Sequence, residues 1–130
     1  MAKSTLASKP NSVHIVEDDR VIARLLSHWL KQRGFKVKIF GDGRQAIANL
    51  DTGEPPRLVF LDIIMPYADG FEVLARMRKH KSWKKVPVIM LSSKSSEANI
   101  VRAFEAGVDD YVTKPFKPGE LMVRMNRLLK

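Results

Sequence analysis

Apolar residues in this chain fall into short uninterrupted runs, and between the runs they recur every three or four positions. That alternation of periods predicts strands and helices in turn. Ser12 to Val16 reads as a first strand. Val21, Ile22, Leu25, Leu26, Trp29 and Leu30 follow at helical spacing until Gly34 stops the helix. Lys36-Val37-Lys38-Ile39-Phe40 alternates polar and apolar, as an edge strand does. Gly41-Asp42-Gly43 turns into a short helix through Ala46, Ile47 and Leu50, and Asp51 to Pro56 reads as a loop. Leu58 to Asp62 is apolar until its last residue, the mark of a central strand. Asp69-Gly70 then opens a third helix carrying Phe71, Val73, Leu74 and Met77.

The second half keeps the rhythm. Val86 to Leu91 is a strand with Pro87 at its entrance, where a missing donor matters little. Ser95-Ser96-Glu97 starts a helix with Ile100, Val101 and Phe104, ended by Gly107. Asp110 to Thr113 is a short strand, and Pro118-Gly119-Glu120 leads into a last helix through Leu129. Five strands alternating with five helices predict an α/β fold, a parallel sheet covered on both faces. In such sheets chemistry gathers at the carboxyl ends of the strands.

Those ends carry an unusual set. The first strand supplies Glu17, Asp18 and Asp19, the third Asp62, the fourth Ser92 and Ser93, and the fifth Lys114-Pro115. A carboxylate closing a buried strand is costly. At roughly 5 Å and an effective dielectric of about 20, each pair of carboxylates repels by about 3 kcal/mol, so a cation or a lysine has to balance them. Carboxylates, a hydroxyl and an ammonium without histidine or cysteine suit a hard divalent cation with oxygen ligands, Mg2+ above all, which engages phosphate. Asp19 fits better as the cap of the first helix.

Composition narrows the classes. The 130 residues make one domain, large enough for a hydrophobic core without staples. The absence of cysteine excludes disulfides, thiolate metal sites and cysteine nucleophiles. Residues 1–11 read as a flexible basic tail without the apolar stretch of a signal peptide, and no run approaches a membrane span, so a cytoplasmic domain over residues 12–130 is expected. The net charge of +9 is densest from Arg76 to Lys85. This stretch lacks the interleaved aromatics of a stacking surface and reads as a solvated helix end, with no direct nucleic-acid binding expected.

VHIVEDD after the first strand, LVFLDIIMP followed by ADG, MLSS after the fourth strand and DDYVTKPF before the last helix resemble, in order and spacing, the receiver domain of two-component response regulators. The resemblance extends from Ser12 to Lys130. It implies a flavodoxin-like three-layer sandwich with strand order 2-1-3-4-5, the order known for chemotaxis receivers. It implies Asp62 as phosphoacceptor from a sensor histidine kinase or a histidine phosphotransfer protein. Mg2+ would be held by Asp18, Asp62 and the backbone carbonyl of Ile64, with Glu17 acting mostly through water. Lys114 would pair with the phosphoryl oxygens, and Lys114-Pro115 would be a cis peptide. Ser92, with Ser93 as competitor, would bind the phosphate, and Tyr111 would turn inward as the switch. The output domain or target would meet the face of helix four, strand five and helix five. Arg102, Asp110, Glu120 and Arg124 are similar to charges that pair such receivers as homodimers. Ile64 and Lys94, two residues past Asp62 and Ser92, imply slow self-dephosphorylation: the first obstructs water and the second cannot act as its base.

Other classes fit less well. A haloacid-dehalogenase-like phosphatase needs a second acid where Ile64 stands, and a dinucleotide domain needs a glycine-rich loop where the acids would repel phosphate. A phosphorylation-independent docking module of the same fold is the remaining alternative. The sequence ends with the last predicted helix and is read as carrying no output domain. A stand-alone regulator and a receiver from a longer protein both stay open.

Overall fold

The computed structural model describes residues 11–94 and 96–129. It contains β1 (Ser12–Val16), α1 (Arg20–Gln32), β2 (Lys36–Phe40), α2 (Gly43–Thr52), β3 (Leu58–Asp62), α3 (Gly70–Lys79), β4 (Val88–Ser92), α4 (Glu97–Glu105), β5 (Asp110–Thr113) and α5 (Pro118–Leu128). The sheet is parallel in the order β2-β1-β3-β4-β5. This is the flavodoxin-like architecture that the alternation and the resemblance predict. The tail expected at the amino terminus lies outside the described residues except for Asn11. That side chain donates to the Gly34 carbonyl at 2.6 Å, fastening the start of β1 to the turn before β2.

Burial follows the strand patterns. Every residue of β3 and β4 is buried, as continuous apolar runs require of central strands, whereas β2 at the edge leaves Lys36, Lys38 and Ile39 exposed. Successive side chains point to opposite faces of the sheet and build two cores. Val13, Ile15, Leu58, Phe60, Ile89 and Leu91 pack with α1 and α5 through Leu26, Leu30, Leu121 and Met125. Val16, Val59, Leu61, Val88 and Met90 pack with Leu50, Leu74, Met77 and Ala103 on the other face.

Side-chain caps start four of the five helices. Asp19 accepts from the amides of Val21 and Ile22, Asp42 from Gln45, Asp69 from Glu72 and Ser96 from Asn99. Residue 95, read with Ser96 as a helix start, lies outside the described residues. Two boundaries differ from the sequence reading. Helix α2 continues through Asp51 and Thr52, because neither breaks a helix and the Gly53 amide still bonds to the Asn49 carbonyl at 2.8 Å. Strand β4 begins at Val88 rather than Val86. Pro87 has no N–H for the ladder, though its carbonyl accepts from Val59 at 3.0 Å.

The basic stretch is partly structural. The Arg78 guanidinium bonds to the carbonyls of Gly107 (2.9 Å) and Val86 (2.8 Å) and to Asp109 (3.1 Å), tying α3 to the turn before β5. Trp83 is buried, and Arg76, Lys79, Lys81, Lys84 and Lys85 are exposed. No helix among the described residues is long and apolar enough to cross a membrane.

His14 on β1 is buried between the rings of Phe40 and Trp83, with centroids 5.2 and 5.6 Å away. Burial, with the charge of Lys38 adding to it, lowers its pKa from 6.5 to about 4. The unfolded chain therefore takes up a proton that the folded chain refuses. The stability from this group is complete above pH 6.5 and is lost as pH falls toward 4, by about 3 kcal/mol. Urea unfolding at pH 7 and pH 4 is expected to show a smaller acid loss in His14→Phe than in the parent; equal losses would contradict the assignment.

Candidate functional site

The carboxyl ends of β1, β3 and β5 bring together three acids and one lysine. Carboxylate oxygens of Glu17, Asp18 and Asp62 all lie within 4.8 Å of one another, an arrangement able to hold a metal ion. Asp62 and Glu17 are buried, and Asp18 is exposed at the mouth. Lys114 reaches across from the end of β5, its Nζ 2.6 Å from Glu17 Oε1 and 3.4 Å from Asp62 Oδ2. The Lys114–Pro115 peptide is cis.

Burial pushes the Glu17 carboxyl up to about 7; the hydrogen bond from Lys114 opposes the shift and Asp62 reinforces it. Burial also works against the Lys114 charge, but Glu17 and Asp62 together outweigh it and hold the ammonium above its ordinary value. Hard oxygen donors in excess of the one ammonium are the chemistry a small divalent cation takes. Two recesses adjoin the site, one at the acids and one at Lys114. One, of about 470 Å³, is lined by Glu17, Asp18, Arg20, Asp42, Gln45 and Pro66. The other, of about 380 Å³ and mainly apolar, is lined by Ile22, Leu25, Ser93, Lys114, Pro115 and Phe116.

The remaining expected residues are placed as follows. Ile64 is exposed in the loop after Asp62. Ser92 is buried at the end of β4, and its Oγ accepts from the Lys94 amide at 2.9 Å, whereas Ser93 is exposed. Tyr111, expected to turn inward, is already buried, and its hydroxyl donates to the Lys94 carbonyl at 2.5 Å. The charges compared with a dimer contact have partners within the chain. Asp110 accepts from Arg124 at 3.1 Å and lies 3.4 Å from Arg127, Glu120 lies 3.5 Å from Arg124, and the Arg102 guanidinium stacks on Phe71 at 3.8 Å.

Sequence reasoning missed the Glu17–Lys114 pair and the two glycines that shape the rim. A Cβ on Gly70 would stand 2.2 Å from the Asp62 carbonyl oxygen, and one on Gly43 would stand 1.9 Å from that of Ala68. The only signal in the sequence was a glycine directly after each capping aspartate, Asp69 and Asp42.

The chain belongs to the response regulator receiver domain family, whose sequence model matches residues 13–126. It is 37% identical over 120 residues to the transcriptional regulatory protein SrrA of Staphylococcus aureus, an alignment covering 92% of this chain and 48% of SrrA. The chain thus spans about half the length of that relative. Among solved structures it is similar to a CheY-like response regulator receiver domain protein from Methanospirillum hungatei, with a TM-score of 0.84, 28% identity and 94% coverage of each chain. It is also similar to a BeF3-activated DrrB receiver domain, with a TM-score of 0.80, 35% identity, and coverage of 91% of this chain and 96% of that one.

The Gly70 contact yields a test. In Gly70→Ala the new methyl meets the Asp62 backbone and forces α3 away from β3. A loss of about 2 kcal/mol in urea unfolding is expected; a variant as stable as the parent would show that the contact can relax freely.

Proposed function

We propose that this domain is a phosphorylation-driven signalling switch that accepts a phosphoryl group on Asp62 from a phosphohistidine of a sensor histidine kinase or phosphotransfer protein. The observation that carries the reading is a buried carboxylate, Asp62, held 3.4 Å from the Lys114 ammonium beside Glu17 and Asp18. An Asp62 oxygen attacks phosphorus, the bond from phosphorus to the donor imidazole nitrogen breaks, and the electron pair returns to the imidazole. The product is an acyl phosphate. Such transfers depend on positioning and on charge stabilisation more than on covalent assistance. Asp18, Asp62 and the Ile64 carbonyl would hold Mg2+, with Glu17 behind them, and the ion supplies neutralisation of the phosphoryl oxygens. Lys114 gives up part of its contact with Glu17 and Asp62 to the incoming phosphoryl group.

Phosphorylation adds close to two negative charges at this sheet end. Ser92 donates its hydroxyl to them and releases the Lys94 amide it now accepts from. The same Lys94 peptide holds the Tyr111 hydroxyl through its carbonyl. One short segment therefore links the phosphate to Tyr111 and to the face formed by α4, β5 and α5. A change in the population of that face is the output, read by an output domain or a target protein. Ile64, 55% exposed beside Asp62, blocks water from the acyl phosphate and slows its hydrolysis.

Incubation with a small phosphodonor and Mg2+ tests the reading. The parent and Tyr111→Ala are expected to gain one phosphoryl group by intact mass, and Asp62→Asn to gain none. Hydrolysis of the parent's phosphoryl group is expected to take minutes or longer. Labelling of Asp62→Asn would remove the assignment, and failure of Tyr111→Ala to be labelled would remove the division between chemistry and output.

A further inference from the structure

We propose that Arg44 and Tyr67 form a latch that positions the Ile64 carbonyl for the metal ion; the inference rests on the metal site proposed above. Tyr67 has φ +71°, and among the described residues it is the only residue other than glycine in the left-handed region. That conformation is costly for a bulky aromatic residue and persists only where neighbours impose it. Tyr67 is 72% exposed, so burial in the core is not what holds it. Its ring carries the Arg44 guanidinium, with the central carbon 3.9 Å from the ring centroid.

The neighbouring residues grip one another as well. The backbone of Gly43 lies so close to the Ala68 carbonyl that a Cβ would stand 1.9 Å from its oxygen. Gly43 and Arg44, in the first turn of α2, thus hold Tyr67 and Ala68, at the tip of the loop between β3 and α3. That turn is itself fixed by Asp42, which accepts from the Gln45 amide at 2.9 Å and side chain at 3.1 Å. At the base of the loop, the Gly70 amide donates to the Ile63 carbonyl at 2.7 Å. Ile64, Met65 and Pro66 lie between these two fixed points, with Met65 anchored in the core. The path of the backbone through Ile64 is therefore fixed by the latch on one side and the Gly70 bridge on the other, and with it the direction of the carbonyl proposed above as a metal ligand. Arg44 and Tyr67 are positioning residues and touch neither metal nor phosphate.

A titration with MgCl2 followed by NMR at the backbone amides of Asp18, Asp62 and Ile64 tests this, together with thermal unfolding. Arg44→Ala and Tyr67→Ala are expected to raise the Mg2+ midpoint about threefold, the effect of losing one solvent-exposed cation–ring contact. Arg44→Lys and Tyr67→Phe, which keep a cation and a ring, are expected to stay close to the parent. Tyr67→Gly separates positioning from fold stability. It relieves the backbone and leaves the melting temperature unchanged or higher, yet it is expected to bind Mg2+ as weakly as Tyr67→Ala. An unchanged midpoint in Arg44→Ala, or parental affinity in Tyr67→Gly, overturns the latch while leaving the metal site intact. If the parent itself shows no saturable shifts, the metal site and the latch fall together.

Discussion

Three carboxylates and one ammonium meet at the end of the sheet, and their imbalance governs the rest of the molecule. The Lys114–Glu17 contact joins residues 97 positions apart, and only the strand order lets β5 reach over β4 and β3 to the end of β1. Glu17 is almost fully buried, and its carboxyl is pushed up to about 7, mainly by burial. A group with a raised folded pKa favours the fold while protonated, and that contribution fades as pH rises from the ordinary carboxylate range through about 7. At neutral pH the ungrouped charges are therefore a standing cost to the fold. A divalent cation offsets it, and so does any further cationic contact to Asp62. Within the site, one ammonium faces three carboxylates, so its own counter-charge is insufficient.

Ser92 and Tyr111 stand apart from the acids. Asp62 pairs in register with Leu91, so Ser92 lies one step beyond and faces the other side of the sheet. What links Ser92 to Tyr111 is the Lys94 peptide, whose amide and carbonyl are engaged by one side chain each. Packed cores do not deform continuously, so removing one of these bonds favours a second discrete arrangement over a graded shift. Val101, Phe104 and Val123 stand exposed on α4 and α5, so the face these helices form with β5 is partly apolar.

Much of this was legible because local and global preferences agree. Leu58 to Asp62 and Ser12 to Val16 are strands by run length alone, and burial runs one residue past each, through Glu17 and Ile63. Asp19, Asp69 and Ser96 announce helix starts through their own hydrogen-bonding chemistry. The missing parts depend on contacts between distant segments. Nothing around Glu17 specifies that its partner is Lys114 rather than solvent, and nothing in the basic stretch marks Arg78 as a clamp for three backbone carbonyls. Tyr67 was equally silent. Its positive φ accompanies the close approach of Gly43 to Ala68 and the stacking of Arg44, contacts that no local propensity encodes.

The acidic site sits within a chain of net charge +9, and distance reconciles the two. At physiological ionic strength charges are screened over about 8 Å, so the acids answer to Lys114 and to one another, and the exposed lysines at positions 79, 81, 84 and 85 have little hold on them. Those lysines follow the carboxyl end of α3, and parallel strands joined by helices put that end at the amino-terminal ends of the strands, opposite Asp62. The electrostatics of the acidic site are thus local, decided by its carboxylates and Lys114. The exposed lysines form instead a positive surface, whose attraction for any anionic group weakens with added salt. The acids and the exposed lysines carry charges of opposite sign, and the length of the strands keeps them apart.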